Sequence, residues 1–182
     1  MRTLMIITAM IIATNILTAQ SSSKKSFYDF TVKTIEGEDF PLSQLKGKKV
    51  LVVNTASKCG YTPQYEDLEK LYQKYGGDKF TIIGFPANNF MSQEPGTNAE
   101  IKEFCSSKYN VTFPMMSKIS VKGDDIAPLY SWLTQKSENG VIDAPVKWNF
   151  QKFMIDENGN LVGMAKPGDQ PFSEEIVKFI EN

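Results

Sequence analysis

Two continuous apolar runs, separated by one helix-length segment, constrain the fold of this 182-residue chain more than any other feature. Residues 50–54 and 80–85 contain no charged side chain, which is typical of strands buried on both faces of a parallel sheet. Between them, apolar residues recur at helical spacing over 68–75, until Gly76 and Gly77 end the helix. Strand, helix and strand in this order predict a right-handed βαβ unit whose helix covers one face of the sheet.

The rest of the chain predicts two hairpins and three more helices around this unit. In chain order they are an amino-terminal hairpin over 27–42, a helix behind the capping box of Thr97 and Glu100, a helix over 127–134, a hairpin over 153–164, and a helix that begins after Ser173. This order predicts an α/β domain with a central mixed sheet flanked by helices, which is a thioredoxin-like layout. We expect this single domain to span residues 27–182.

Residues 1–19 have the layout of a secretory signal peptide. Arg2 precedes an apolar stretch over 4–17, and Ala19 precedes a polar segment rich in serine and lysine. The apolar stretch is shorter than the roughly 20 residues that a helix needs to cross a bilayer. We therefore expect a leader that is cleaved, a flexible linker over 20–26, and an exported protein that is periplasmic or extracellular.

Histidine is absent from the sequence, and this absence excludes several classes of enzyme. With 0 His, the chain lacks both the commonest general base and the commonest metal ligand. Serine–histidine hydrolases and zinc enzymes are therefore excluded, and we expect no metal and no other cofactor. The 20 basic residues balance the 21 acidic ones, which argues against a nucleic-acid or anionic-membrane partner.

Cys59 is the strongest candidate for a reactive group. One other cysteine, Cys105, is present, and in an exported protein the simplest interpretation of such a pair is a structural disulfide. Cys59, however, lies where the strand over 50–54 gives way to a helix, so free backbone amides and the helix dipole favour its thiolate. Thr62 occupies the third position after it, which excludes the two-cysteine motif of dithiol reductants.

A lone cysteine in such a position can attack a peroxide and become a sulfenic acid, which then condenses with another thiol. Cys105 is the only candidate for that thiol within the chain. The alternative interpretation of Cys105 is a small buried hydrophobic residue beside Phe104 on its helix. The residues alone leave both interpretations open.

Three blocks of the sequence closely resemble the signature blocks of the glutathione peroxidase family. They cover residues 54–62, 84–96 and 148–153, in the family's order and at its intervals, and the resemblance extends from Phe27 to the carboxyl terminus. It implies a thioredoxin-like fold. It also implies a peroxidase that reduces hydrogen peroxide and organic or lipid hydroperoxides in the response to oxidative stress.

The resemblance carries the family's catalytic tetrad onto Cys59, Gln93, Trp148 and Asn149, all of which are present. The two amides and the indole N–H are neutral donors that can stabilise a thiolate in a chain without histidine. A cysteine stands where other members of the family have selenocysteine. This departure implies slower chemistry and a need for a resolving thiol.

Cys105 matches the block that carries the resolving cysteine in the thioredoxin-dependent branch of the family. The resemblance thus implies a Cys59–Cys105 disulfide that a thioredoxin-like donor reduces. Because a disulfide requires Cα atoms within about 7 Å, it also implies local unwinding around Cys105 and a mobile segment over 97–110. The segment over 136–147 is short, which implies a monomer.

Three other functions fit the same residues and stay open. A peroxidase that uses glutathione directly would not need Cys105. A redox sensor would pass its oxidation to a partner protein through a mixed disulfide. A purely structural disulfide would show no reactivity with peroxide. For lipid hydroperoxides, Phe90, Met91 and Trp148 could form an apolar rim at the site, although surface packing explains Phe90 and Met91 equally well.

Overall fold

The computed structural model describes residues 25–182. The predicted signal peptide and residues 20–24 of the predicted linker lie outside the described residues. Lys25 and Ser26, the last two linker positions, contact the domain. Trp132 Nε1 donates to the carbonyl of Lys25 at 2.8 Å, and Ser26 caps the helical turn that follows. The contacts of the domain therefore begin two residues before the predicted start.

Within the described range, no helix is long and apolar enough to cross a membrane.

Strands β1 (Thr31–Lys33) and β2 (Asp39–Pro41) form the predicted amino-terminal hairpin as a separate antiparallel sheet. Gly37 lies in its turn with a φ of 91°, a conformation that glycine adopts without strain. A 3₁₀ turn stands on each side of the hairpin, at Phe27–Asp29 and Leu42–Leu45. The first residue of each turn is fully buried, so both turns anchor the hairpin on the hydrophobic core.

The central sheet contains the strands β3 (Lys49–Thr55), β4 (Phe80–Pro86), β5 (Lys152–Ile155) and β6 (Leu161–Ala165). Their order is β4-β3-β5-β6, in which β3 and β4 are parallel and the other neighbouring pairs are antiparallel. The prediction of a central mixed sheet is confirmed. Because β3 is paired on both sides, its carboxyl end, which leads to Cys59, is held in place.

Over the described residues, the α-helices are α1 (Gln64–Tyr75), α2 (Asn98–Tyr109), α3 (Pro128–Thr134), α4 (Lys136–Asn139) and α5 (Glu174–Glu181). The predicted capping box of α2 is present, since Thr97 accepts the N–H of Glu100 and the Glu100 carboxylate accepts the N–H of Thr97 at 2.7 Å. The sequence does not predict α4. This single turn depends on hydrogen bonds of the Asn139 amide rather than on apolar periodicity.

The central sheet divides the hydrophobic core into two clusters, one on each face. Successive residues of β3 alternate between these clusters, as the direction of side chains along a strand requires. Cys59 and Cys105 both belong to the cluster that α1 and α2 cover. The two cysteines therefore lie on the same side of the sheet.

Candidate active site

Cys59 lies in a tight turn between β3 and α1. Its N–H donates to Thr62 Oγ1 at 2.9 Å, and the same hydroxyl donates to the carbonyl of Ala56 at 2.9 Å. The N–H of Thr62 donates in return to the carbonyl of Cys59 at 3.0 Å. Only 8% of Cys59 is exposed, so this turn holds the cysteine just beneath the surface. From the sequence, Thr62 serves only to exclude a dithiol motif; its part in building the turn is not predicted and becomes visible in the structure.

The structure corrects the predicted position of Cys59 relative to the helix. α1 begins at Gln64, so the turn separates the cysteine from the first helical residues. The sulfur accepts one backbone hydrogen bond, from the N–H of Tyr61 at 3.4 Å. The influence of a helix dipole falls off within about one turn. The hydrogen-bond donors close to the sulfur therefore interact with Cys59 more strongly than the dipole of α1 does.

Hydrogen bonds connect the loop of Gln93 to the cysteine turn and to Asn149. The N–H of Lys58, the residue before Cys59, donates to the carbonyl of Gln93 at 3.0 Å. Asn149 Nδ2 donates to Gln93 Oε1 at 2.9 Å. Asn149 is fully buried, and its Oδ1 has no partner among residues 25–182. The structure thus brings Gln93, Asn149 and the turn of Cys59 together.

Trp148 is half-buried and packs against both core clusters. Its ring lies 5.3 Å from that of Phe90, centroid to centroid. Phe90 is only 4% exposed, whereas Met91 is 79% exposed. Phe90 therefore supports Trp148 from inside the protein and does not belong to an exposed apolar rim. Of the three residues predicted for that rim, only Met91 and Trp148 are accessible to solvent.

Asn54 positions the segment that carries Trp148 and Asn149. Its Nδ2 donates to the carbonyl of Trp148 at 3.1 Å, and its own carbonyl accepts the N–H of Phe150 at 2.6 Å. Phe150 has a φ of 67°, a conformation that needs such support in a residue other than glycine. The sequence does not predict this role of Asn54, although a polar asparagine at the end of an apolar strand is a signal for it, and the structure shows the residue to be fully buried.

Cys105 lies on α2 with 2% of its surface exposed, and both cysteines are free thiols. Burial raises the pKa of the Cys105 thiol to about 11. The intact α2 helix describes the reduced protein, and the predicted mobility of 97–110 stays a prediction. No group of three or more metal-ligating side chains occurs over residues 25–182.

The sheet has a thioredoxin-like strand order, and a nearly buried cysteine follows its central strand. Amide side chains are linked by a hydrogen bond beside the turn of that cysteine. Together these features define a redox protein of the thioredoxin-like fold. A family model described as glutathione peroxidase matches residues 27–134. Glutathione peroxidase homolog BsaA of Bacillus subtilis is 45% identical over 158 residues, which cover 86% of this chain and 99% of that protein. A glutathione peroxidase-like peroxiredoxin of Schizosaccharomyces pombe is 53% identical over 137 residues, which cover 75% and 85%.

Solved structures of similar proteins have the same fold. The apo form of Trgpx has a TM-score of 0.67 at 42% identity, with 88% of this chain and 98% of that chain covered. A thiol:disulfide interchange protein of the thioredoxin family from Chlorobium tepidum has a TM-score of 0.60 at 21% identity, with 87% and 97% covered, and shows the shared fold alone. The chain belongs to the glutathione peroxidase family. It is a peroxidase, and its role is the reduction of peroxides in the response to oxidative stress.

Proposed function

We propose that Cys59 is the cysteine that attacks the peroxide and that Gln93, Trp148 and Asn149 hold its thiolate. The Asn149–Gln93 hydrogen bond carries this proposal, because it joins two parts of the chain that are 56 positions apart beside the cysteine turn. Amide and indole N–H groups are neutral donors, and hydrogen bonds to a charged form favour that form. They give this histidine-free chain a means of activating its sulfur.

In the first step, the Cys59 thiolate attacks one oxygen of hydrogen peroxide or of an organic hydroperoxide. The S–O bond forms as the O–O bond breaks, and the departing oxygen takes from solvent the equivalent of the proton that the Cys59 thiol released, so that it leaves as water or an alcohol. Cys59 becomes a sulfenic acid. Met91, two residues before Gln93 in the chain, is exposed and Trp148 is half-buried, and this accessible apolar surface supports organic and lipid hydroperoxides among the substrates.

In the second step, Cys105 attacks the Cys59 sulfur. The S–S bond forms as the S–O bond breaks, and the hydroxide leaves as water with the proton of the Cys105 thiol. A thioredoxin-like donor then reduces the disulfide by thiol–disulfide exchange. The resemblance to the thioredoxin-dependent branch of the family supports local unwinding of the carboxyl-terminal part of α2 during this step, since a disulfide requires Cα atoms within about 7 Å.

Peroxide consumption by three proteins tests both steps. Wild type, Cys59→Ser and Cys105→Ser are assayed with thioredoxin and its reductase, and separately with glutathione. We expect Cys59→Ser to be inactive with either donor, and Cys105→Ser to lose turnover with thioredoxin while it still forms a sulfenic acid. Full activity in Cys59→Ser contradicts the first step. Full activity of Cys105→Ser with glutathione would favour the direct use of glutathione instead.

We propose further that residues 1–19 direct export and that the mature protein is a monomer. The signal-like composition of the leader supports export. The short connection between α3 and β5, tied down by Asn139, supports a monomer. Amino-terminal sequencing of the protein from a periplasmic or culture fraction should begin at or near Gln20, and light scattering should give the mass of one chain. A full-length cytoplasmic protein or a tetramer contradicts the respective proposal.

A further inference from the structure

Met91 is the most exposed large apolar side chain over residues 25–182. Its exposed fraction is 79%, against 51% for Val162, which comes next. Its backbone lies in the left-handed region with a φ of 49°, and Ser92 follows with a φ of 52°. This conformation is strained in residues that carry a Cβ, and an exposed thioether gains nothing from burial. Neither packing nor backbone preference therefore accounts for a methionine at this position.

The loop that carries Met91 is closed at its base by hydrogen bonds. The Asn88 side chain accepts the N–H of Glu94 at 2.8 Å and thereby joins the two ends of the loop. Nearer the tip, the N–H of Gln93 donates to the carbonyl of Phe90 at 3.1 Å. The exposure of Met91 is therefore a fixed feature of a closed loop.

The same loop connects Met91 to the candidate active site. Phe90, one residue before it, packs against Trp148 with the ring centroids 5.3 Å apart. Gln93, two residues after it, accepts a hydrogen bond from Asn149 at 2.9 Å. A chemical change of the Met91 side chain thus takes place between two loop residues that contact the site.

The other methionines of the described range are better protected from solvent. Met116 and Met154 are buried, with exposed fractions of 1% and 3%, and Met115 and Met164 are half-buried. Peroxides oxidise an accessible thioether to a sulfoxide, which turns a flexible apolar side chain into a polar one. Met91 is therefore the methionine that peroxide reaches most easily.

We propose that Met91 is an oxidation site through which peroxide regulates the use of apolar hydroperoxides by this protein. The inference rests on the proposed function, in which Met91 and Trp148 provide the accessible apolar surface. The Met91 sulfur attacks one oxygen of hydrogen peroxide, and the S–O bond forms as the O–O bond breaks. The departing hydroxide takes the proton of the transferred hydroxyl group, so that the products are the sulfoxide and water.

Cys59 competes with Met91 for the same peroxide, and a thiolate is the stronger nucleophile. While a donor keeps Cys59 reduced, peroxide is consumed and Met91 stays intact. When the donor is exhausted, Cys59 stays oxidised, peroxide persists, and the sulfoxide accumulates. The polar sulfoxide then weakens contact with the apolar part of an organic hydroperoxide, whereas hydrogen peroxide has no such part.

The test compares wild type with Met91→Leu, which keeps an apolar side chain of similar size but has no sulfur. Methyl methanethiosulfonate first blocks Cys59 as a methyl disulfide, so that excess hydrogen peroxide cannot oxidise it irreversibly. After the peroxide treatment, dithiothreitol restores the thiol and leaves sulfoxides in place. Peptide mass spectrometry counts the sulfoxide at each methionine. Stopped-flow fluorescence then gives the second-order rate with hydrogen peroxide and with cumene hydroperoxide.

We expect Met91 to be oxidised about tenfold or more faster than Met116 and Met154, in line with its exposure. The rate of wild type with cumene hydroperoxide should then fall about threefold to tenfold as an apolar contact is lost. The rate with hydrogen peroxide should stay unchanged, and methionine sulfoxide reductase should restore the lost rate. Met91→Leu should keep both rates after the same treatment.

Three results would overturn the role of Met91 and leave the proposed function intact. They are slow oxidation of Met91, an unchanged rate with cumene hydroperoxide, and an equal loss of that rate in Met91→Leu. An equal loss with both peroxides would show general damage to the site and would also overturn it. Wild type that reacts with neither peroxide before the treatment would overturn the proposed function, and the inference with it.

Discussion

Asn149 and Gln93 meet beside Cys59 although they are 56 positions apart in the chain. Asn54 and Thr62 support the same site from β3 and from the cysteine turn, and both are buried, at 0% and 4% exposure. Buried polar side chains lower stability unless they are paired. At the scale of single residues, their concentration around one cysteine indicates a site that is built for chemistry as well as for folding.

Replacement of Asn149 by alanine removes the donor to Gln93 Oε1. We expect the second-order rate of Cys59 with hydrogen peroxide to fall about tenfold or more, because one hydrogen bond within the proposed thiolate-stabilising set is worth about 1.5 kcal/mol or more. Stopped-flow fluorescence measures this rate. Asn160→Ala, at an exposed turn, is the control and should react as wild type does. An unchanged rate in Asn149→Ala would remove Asn149 from the site.

Lys152 provides a prediction about pH. It is fully buried, and its Nζ donates to Gln64 Oε1 and to the carbonyl of Asp169, each at 2.6 Å. Burial lowers the pKa of Lys152 from 10.5 to about 8. The folded protein thus binds fewer protons here than the unfolded chain between pH 8 and 10.5. The contribution of Lys152 to stability therefore increases as the pH rises through this range.

Lys152→Met should lack this increase. We expect the free energy of unfolding of wild type, relative to Lys152→Met, to rise by about 2 kcal/mol between pH 7 and pH 10. Urea unfolding of both proteins at each pH measures the difference, which cancels the titration of other groups. Lys48→Met is the control, because Lys48 bonds to the carbonyl of Gly77 in an exposed position. A constant difference between wild type and Lys152→Met would show that Lys152 keeps an ordinary pKa.

At the scale of the elements, α2 has a capped amino terminus, and the proposed second step requires this helix to unwind. The capping box of Thr97 and Glu100 stabilises its amino terminus. Its carboxyl end is closed by Asn110, which has a φ of 50° and whose N–H bonds to the carbonyls of Cys105 and Ser106. Since Cys105 lies in the second half of the helix, the stability of α2 would oppose the proposed disulfide formation.

Thr97→Ala should therefore accelerate the second step. Loss of the cap destabilises α2 by about 1 kcal/mol, and we expect disulfide formation to become up to about fivefold faster with an unchanged rate of sulfenic acid formation. Rapid quenching and mass spectrometry separate the two rates. Ser173→Ala is the matched control, because Ser173 precedes α5 without a side-chain cap hydrogen bond. A slower or unchanged second step would contradict the unwinding of α2.

At the scale of the whole molecule, we expect the sheet to stay unchanged during the proposed reaction and α2 to rearrange. β3 is paired with β4 and β5 along its length, whereas α2 rests on one face of the domain through few buried residues, Ile101 and Cys105. Regions with few buried apolar contacts open at low free energy. Formation of the disulfide should thus rearrange α2 and leave the sheet intact.

Hydrogen exchange of the oxidised and reduced proteins tests this expectation. Amides of residues 97–110 should lose protection by about tenfold or more on oxidation, while those of β3, β4 and β5 should keep theirs. Cys105→Ser treated with peroxide is the control, because it cannot form the disulfide and should retain protection in α2. Loss of protection throughout the sheet would show a global change instead.

The site could be predicted in part. The apolar runs over 50–54 and 80–85 predict β3 and β4 because burial on two faces leaves a direct mark on composition. The resemblance to the glutathione peroxidase family supplied Gln93, Trp148 and Asn149. The delayed start of α1 at Gln64 was not predictable, because the turn before it depends on the Thr62 hydroxyl bonding across several positions.

By itself, the sequence determined the order of the strands and of every helix except α4, the capping box of α2 and the absence of histidine chemistry, since these follow from local periodicity and composition. Only the tertiary structure decided that Asn54 supports the Trp148 segment and that Phe90 is buried. Such contacts join residues that are distant in the chain. Their energies depend on burial and on the direction of each side chain, which local sequence preference does not encode.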